Sequence, residues 1–586
     1  MKQFFKFAFA SMLGMILTLF IFFLIVVGSI GVLINSKEQP VNVKDNSVLR
    51  LNLNFPITER ASSDPLENID IGPISGQKKL GLNQILEAIE AAKEDDKIKG
   101  IYLEAGYIST GMATLEQIRN ALLDFKKSGK FIMAYSEVYS QSAYYLASAA
   151  SKIYLNPAGL MEIKGFSTLT PFFKGALDKL NIEAQIIKVG TYKSAVEPFI
   201  LEGMSDANRL QMNALVNSLY DNFANKVATS RKLELDSVYA IANQLKCRSA
   251  EDAVKLKLID GLRYKDEVIK ELKSLTKTDD DDDIPTVGIE DYVKGIDKKS
   301  SASDRIAVVY ANGDITGGEG DEETIGSETI SRAIRDAREN DKVKAVVLRI
   351  NSPGGSALAS DVIWREVLLA KKVKPVIVSM GDYAASGGYY IACAADSIFA
   401  EPNTITGSIG VFAIIPNFKN FLDNKLGIKF DGVKTGEFGD IGNVMRPMTA
   451  AEKMIFQAEV NRTYSDFTKR VADGRNLTTS YVDSIGQGRV WTGTQAVKNG
   501  LVDRIGGIDD AIKSAAKKAK LKDYKLVAYP EQKSGLMAIL DNSKDDLKSY
   551  FVKEELGESY TYYQQLKETV RMKGVQTRLP FLIEVE

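Results

Sequence analysis

Histidine is absent from all 586 residues. That excludes a Ser-His-Asp triad, a Cys-His pair and any histidine-ligated metal site. A serine hydrolase built on this chain needs another base, and lysine is the usual substitute, because a desolvated amine can take a hydroxyl proton near neutral pH. Cysteine is nearly absent too. Cys247 and Cys393 both fall in segments that read as packed elements, so buried free thiols are expected rather than a disulfide. A charge excess of either sign is also missing: the formal net charge is -1, which indicates neither a nucleic acid nor an acidic partner.

What is present begins with an apolar run. Phe7 to Ile34 carries no charge over 28 residues and follows Lys2 and Lys6. A secretory signal has an apolar core of only about 7 to 15 residues, so a single membrane span is expected, with residues 1–6 in the cytoplasm and the body outside it. The alternative is a cleaved signal peptide, for which Gly28, Ser29 and Gly31 offer a small-residue site.

The rest of the chain repeats itself. At an offset of 245 residues, Gly81 to Ser167 aligns with Gly326 to Phe412 without a gap, about a quarter of the positions being identical. Asp96, Lys97 and Lys99 fall on Asp341, Lys342 and Lys344, and Tyr144, Tyr145 and Ala147 on Tyr389, Tyr390 and Ala392. The differences carry the chemistry. Ser386, in the glycine-rich turn from Gly381 to Gly388, faces Gln141, and Pro353, Gly354 and Gly355 face Ile108, Ser109 and Thr110. One residue further out of register, Lys193 faces Gly439.

Two copies are therefore expected, at 47–275 and 304–529. Between them 276–303 reads as a linker around the run Asp279 to Asp283, with a calcium site as the alternative, and the tail 530–586 offers nothing assignable. Each copy opens on a strand, Val48 to Phe55 and Arg305 to Asn312. In the second, a strand at Ala345 to Ile350, a turn at Asn351 to Ser356, a helix at Ala359 to Lys371, a strand at Pro375 to Met380 and a helix from Gly387 to Ala395 give an α/β order.

Ser386 then lies at a helix start, where free backbone N–H groups favour developing negative charge. The amides of Gly355 and Gly387 could form a two-donor oxyanion hole. Lys193, in GTYKSAVEP between a strand at Ala184 to Val189 and a helix from about Ser205, is the candidate base. Its pKa must fall about three units, a cost of roughly 4 kcal/mol that burial can supply. Each feature alone has a plainer reading: a helix-packing serine, a tight turn, a solvated lysine.

Together, YKSAVEP around Lys193, NSPGGS at 351–356, GDYAASGGYY at 381–390 and TGSIGVF at 406–412 resemble the signal peptide peptidase A (protease IV) family of serine peptidases in its long duplicated form. The resemblance implies a Ser/Lys dyad with Ser386 as nucleophile and Lys193 as general base, and Ser408 orienting the lysine. It implies two tandem copies of a Clp protease/crotonase-like α/β domain and a homotetramer anchored to the membrane; no metal or cofactor is expected, and the charges ahead of the span place the body on the outer (periplasmic) side of a bacterial inner membrane. The implied substrates are hydrophobic peptides, the signal-peptide remnants left in the bilayer. Two other classes remain: an acyl-CoA hydratase or isomerase on the same fold, and an inactive membrane scaffold.

Overall fold

The computed structural model describes residues 2–37, 43–61, 78–296, 302–532 and 574–579. The chain opens with the helix Lys2–Lys37. Among the described residues one stretch, Gln3–Phe22, is long and apolar enough to cross a membrane, with a mean hydropathy of 2.0.

Two sheets follow, one per copy, with the same strand order. The first runs Gly261–Leu262, Lys152–Met161, Phe131–Tyr139, Ile98–Glu104, Ser47–Asn52, Thr286–Gly288 and is parallel throughout. In the second, Arg504–Ile505, Ser397–Ala400, Val376–Ala385, Val343–Ser352, Arg305–Asn312 and Lys525–Tyr529 occupy the corresponding places, also in parallel. Strands of this kind are buried on both faces and read as near-continuous apolar runs, as VKAVVLRI does. The α/β class expected from the sequence is the observed one.

Three expectations need adjusting. The stretch expected as a linker contains the strand Thr286–Gly288 and the helix Ile289–Gly295, and the strand pairs with Ser47–Asn52. It is thus the edge of the first sheet, as Lys525–Tyr529 is of the second, and only the acidic run before it is connection. The expected turn at Gly381 is strand: Val376–Ala385 continues unbroken to the residue before Ser386. The unassigned tail contains a strand, Gln576–Arg578.

The copies are joined by a shared core and by a third sheet. Ile306, Val308, Ala345 and Val347 of the second sheet and Ala511 and Ala515 of the helix Ile508–Lys518 belong to one apolar cluster with Ile85, Ile89 and Leu115 of the first copy. The third sheet takes strands from both: Thr324–Gly326, Asp314–Thr316, Gly354–Ser356, Gln576–Arg578, Val411–Asn417 and Glu183–Val189. Its antiparallel pairing of Val411 to Val189 through Asn417 to Glu183 carries the chain that follows Val189 into the second copy.

A buried polar cluster closes the same junction. The Arg349 guanidinium donates to both carboxylate oxygens of Glu59, at 2.7 and 3.1 Å, and to Ser379 Oγ and the Met380 carbonyl. Asp382 accepts from the amides of Ala113 and Thr114 at 2.9 Å and from Thr114 Oγ1 at 2.7 Å. It thereby satisfies the open N-terminus of the helix Met112–Lys126 from across the domain boundary.

Candidate functional site

Ser386 ends the strand Val376–Ala385 and caps the helix Gly387–Ala392 with φ 55° and ψ -111°. A non-glycine residue at positive φ is strained, and strain of this kind persists only where surrounding contacts over-determine it. Here the Ser386 amide donates to the Gly407 carbonyl at 2.8 Å, while its carbonyl accepts from the Tyr390 amide. Ser408 also sits at positive φ, 51°, with its amide held by the Arg489 carbonyl at 2.7 Å. Both residues are buried.

Lys193 arrives from the first copy. It follows the strand Glu183–Val189 and precedes the helices Glu197–Ile200 and Asp206–Arg231, as the sequence indicated. Its Nζ lies 3.0 Å from Ser386 Oγ, 3.0 Å from Ser408 Oγ and 3.3 Å from the Ser408 carbonyl. Three contacts suit either protonation state. An ammonium donates three N–H bonds; a neutral amine donates two to Ser408 and accepts one from the Ser386 hydroxyl. The side chain is fully buried, and desolvation lowers its pKa from 10.5 to about 7.

Residues the sequence reading passed over make room for that lysine. A methyl group added to Gly488 would come within 2.6 Å of the Lys193 backbone, and one on Gly410 within 3.1 Å of Lys193 Cδ. The loop holding Gly488 also fixes the lysine turn: the Tyr192 amide donates to the Gln487 carbonyl at 2.8 Å, and Gln211 donates to the Tyr192 carbonyl and Ser194 Oγ at 3.0 Å. Gly410 lies in the motif TGSIGVF without a role having been assigned to it, and the signal for Gly488 was only the pair of glycines around Gln487, a turn mark with no chemistry attached.

The glycine segment expected as a turn at Asn351 to Ser356 is mostly strand, Val343–Ser352 followed by Gly354–Ser356, and it too lies beside the start of the Ser386 helix. Gly354 and Gly355 have φ 105° and 157°, and a methyl on Gly355 would meet the Ile315 carbonyl at 2.1 Å. A methyl on Gly354 would stand 2.8 Å from the Gly387 amide nitrogen, so the turn and the start of the Ser386 helix are in close approach. All five residues singled out in the sequence, Lys193, Gly355, Ser386, Gly387 and Ser408, are brought together. An alcohol beside an amine whose pKa burial lowers to about 7, next to two glycines, has the parts that acyl transfer uses.

The peptidase family S49 matches residues 124–279 and 369–522. Protease 4 of Haemophilus influenzae is 39% identical over 450 residues, 75% of this chain and 73% of its own. Protease 4 of Salmonella typhi is 37% identical over 552 residues, 90% and 87% of the two chains. A serine protease SPPA, chloroplastic, of Arabidopsis thaliana is 34% identical over 526 residues, 87% and 76%.

Proposed function

Since the chain belongs to peptidase family S49 and is a serine peptidase, we propose that it is a membrane-tethered endopeptidase whose working site is a Ser/Lys dyad shared between its two copies. The observation that carries this is the 3.0 Å contact between Lys193 Nζ and Ser386 Oγ, fully buried and made by one residue from each copy.

In this reading the neutral Lys193 amine removes the Ser386 proton as Oγ attacks the peptide carbonyl. The amides of Gly355 and Gly387 receive the oxyanion, a contribution of about 3 to 4 kcal/mol per donor in comparable sites. The C–N bond then breaks, and the Lys193 ammonium returns its proton to the leaving amine. A water molecule, deprotonated by the same amine, hydrolyses the ester and restores Ser386. Ser408 holds the amine through hydroxyl and carbonyl so that its lone pair faces Ser386.

The substrates proposed are hydrophobic peptides such as signal-peptide remnants. The apolar helix Lys2–Lys37 supports a place beside a bilayer, where such peptides concentrate, with the body on the periplasmic side of a bacterial inner membrane. A homotetramer is proposed on the likeness alone. The test is digestion of mixed signal peptides and soluble acidic peptides by the detergent-solubilised protein, with cut sites read by mass spectrometry. Preferential cleavage beside apolar residues, lost in Ser386→Ala, is expected; equal cleavage of both sets rejects the substrate class.

A further inference from the structure

The strand Gln576–Arg578 inserts between Gly354–Ser356 and Val411–Asn417, so the segment nearest the oxyanion turn on that side belongs to the chain's own tail. It runs antiparallel to the turn, with Gly354 opposite Arg578, Gly355 opposite Thr577 and Ser356 opposite Gln576. Backbone bonds at both ends set the phase of the ladder: the Leu579 amide donates to the Pro353 carbonyl at 2.8 Å, and the Ala357 amide to the Val575 carbonyl at 3.3 Å. Bonded pairs alternate along an antiparallel ladder, so Thr577 and Gly355 form the bonded pair between them. The Gly355 amide, a donor of the oxyanion hole, is thereby aimed at the Thr577 carbonyl.

The glycine geometry places that oxygen independently. A methyl on Gly354 would meet the Thr577 carbonyl oxygen at 2.1 Å, and a methyl on Gly387 would meet the same oxygen at 3.1 Å. Thr577 Oγ1 also donates to the Gly355 carbonyl at 3.2 Å. The side chains anchor the strand on both sides. Thr577 and Leu579 are buried, Leu579 in an apolar cluster with Met212, Leu215, Ala385, Ile405 and Val490. Arg578 pairs with Asp314 at 2.9 Å.

An extended peptide adding a strand to a sheet makes this set of contacts: main-chain bonds for affinity and pockets for alternate side chains. We propose that residues 575–579 occupy the substrate groove as an intramolecular, substrate-like strand, so that the full chain is held back by its own tail. Incoming peptides must displace it. The Leu579 cluster is then a pocket for an apolar substrate side chain, and the edges Gly354–Ser356 and Val411–Asn417 are the rails between which a substrate lies. This rests on the dyad reading above, because an occupied groove matters only if Ser386 reacts there.

The test uses the full-length protein. Leu579→Asp puts a charge into the apolar cluster, and Arg578→Glu, a milder change, sets two carboxylates against each other at Asp314; both should expel the strand. Labelling of Ser386 by a fluorophosphonate and hydrolysis of an apolar peptide should each rise at least tenfold in both variants. Added peptide Val-Gln-Thr-Arg-Leu should slow them again, competitively with substrate. Rates equal to or below those of the unaltered protein, in variants with unchanged thermal unfolding, overturn the proposal. Absence of labelling and hydrolysis in the unaltered protein and both variants instead overturns the dyad reading, so the two failures are distinguishable.

Discussion

The two copies keep the same internal bracing and differ where the chemistry is. Tyr144 Oη donates to the Leu258 carbonyl at 2.7 Å in the first, and Tyr389 Oη to the Leu501 carbonyl at 2.8 Å in the second. Tyr145 donates to Glu116, and Tyr390 to Asp361 at the aligned position. Asp260 accepts from the Ile153 amide at 2.8 Å, and Asp503 from the Ile398 amide at 2.7 Å. At the strand-to-helix junction the likeness stops. In the first copy Ser140 caps the helix with an ordinary φ of -65° and accepts from the Ala143 amide, while Gln141 bonds the amides of Lys164 and Gly165 and the Gly165 carbonyl. In the second, Ser386 caps the helix at φ 55° with no side-chain cap bond. The first copy's turn is unstrained and self-satisfied, as the proposed dyad would have it for the copy without a reaction; its sister retains strain and leaves the hydroxyl to Lys193.

The strongest way to break this contrast is to remove either partner. Ser386→Ala and Lys193→Ala should each lower peptide hydrolysis roughly a thousandfold or more, and the double variant no further, because the two act as a unit. Steady-state kinetics on one apolar peptide measures all three.

The same lysine should be a burden on the fold. Its pKa in the folded chain, about 7, lies below the 10.5 of the free side chain, so the unfolded chain binds more protons between those values and stability rises with pH across that window. Below pH 7 the burial cost is present in full. Lys193→Met should therefore stabilise the protein by up to roughly 5 kcal/mol there, the gain fading toward pH 10.5. Denaturant titrations at pH 6 and pH 10 check it; an equal gain at both would show that the lysine is not held neutral.

Gly488→Ala should act through Lys193 rather than on it, since the new methyl would lie 2.6 Å from the lysine backbone. A hundredfold loss of turnover, on the order of what small misplacements cost, is expected with about 1 to 3 kcal/mol of destabilisation. Labelling of Ser386 should fall in parallel. The smallest effect belongs to the silent copy: Gln141→Ser should cost about 1 kcal/mol through its lost loop bonds and create no second labelled serine.

How much of this could be read in advance follows from what the sequence encodes locally. The repeat, the strand runs such as VKAVVLRI and the loss of Ser386 and Lys193 from opposite copies are properties of contiguous residues, and they announced two α/β units with a split site. Gly410 stood inside a quoted motif, but its role and that of Gly488 were not legible, because both leave space for a side chain some 200 to 300 positions away. Asp382 likewise serves a helix of the other copy through Thr114, 268 residues distant. The strand Thr286–Gly288 was hidden by its length and by the acidic run before it, and Gln576–Arg578 by having no apolar alternation to mark it.

Activation of the second copy's serine by the first copy's lysine can be read from the pH dependence of Ser386 labelling in the wild type and in Lys193→Met. The wild-type rate should climb about tenfold per pH unit and level off near pH 7, where burial places the lysine. The variant should be at least about a thousandfold slower and lack that limb. The same limb and plateau in Lys193→Met would contradict this activation, since another group would then be taking the proton.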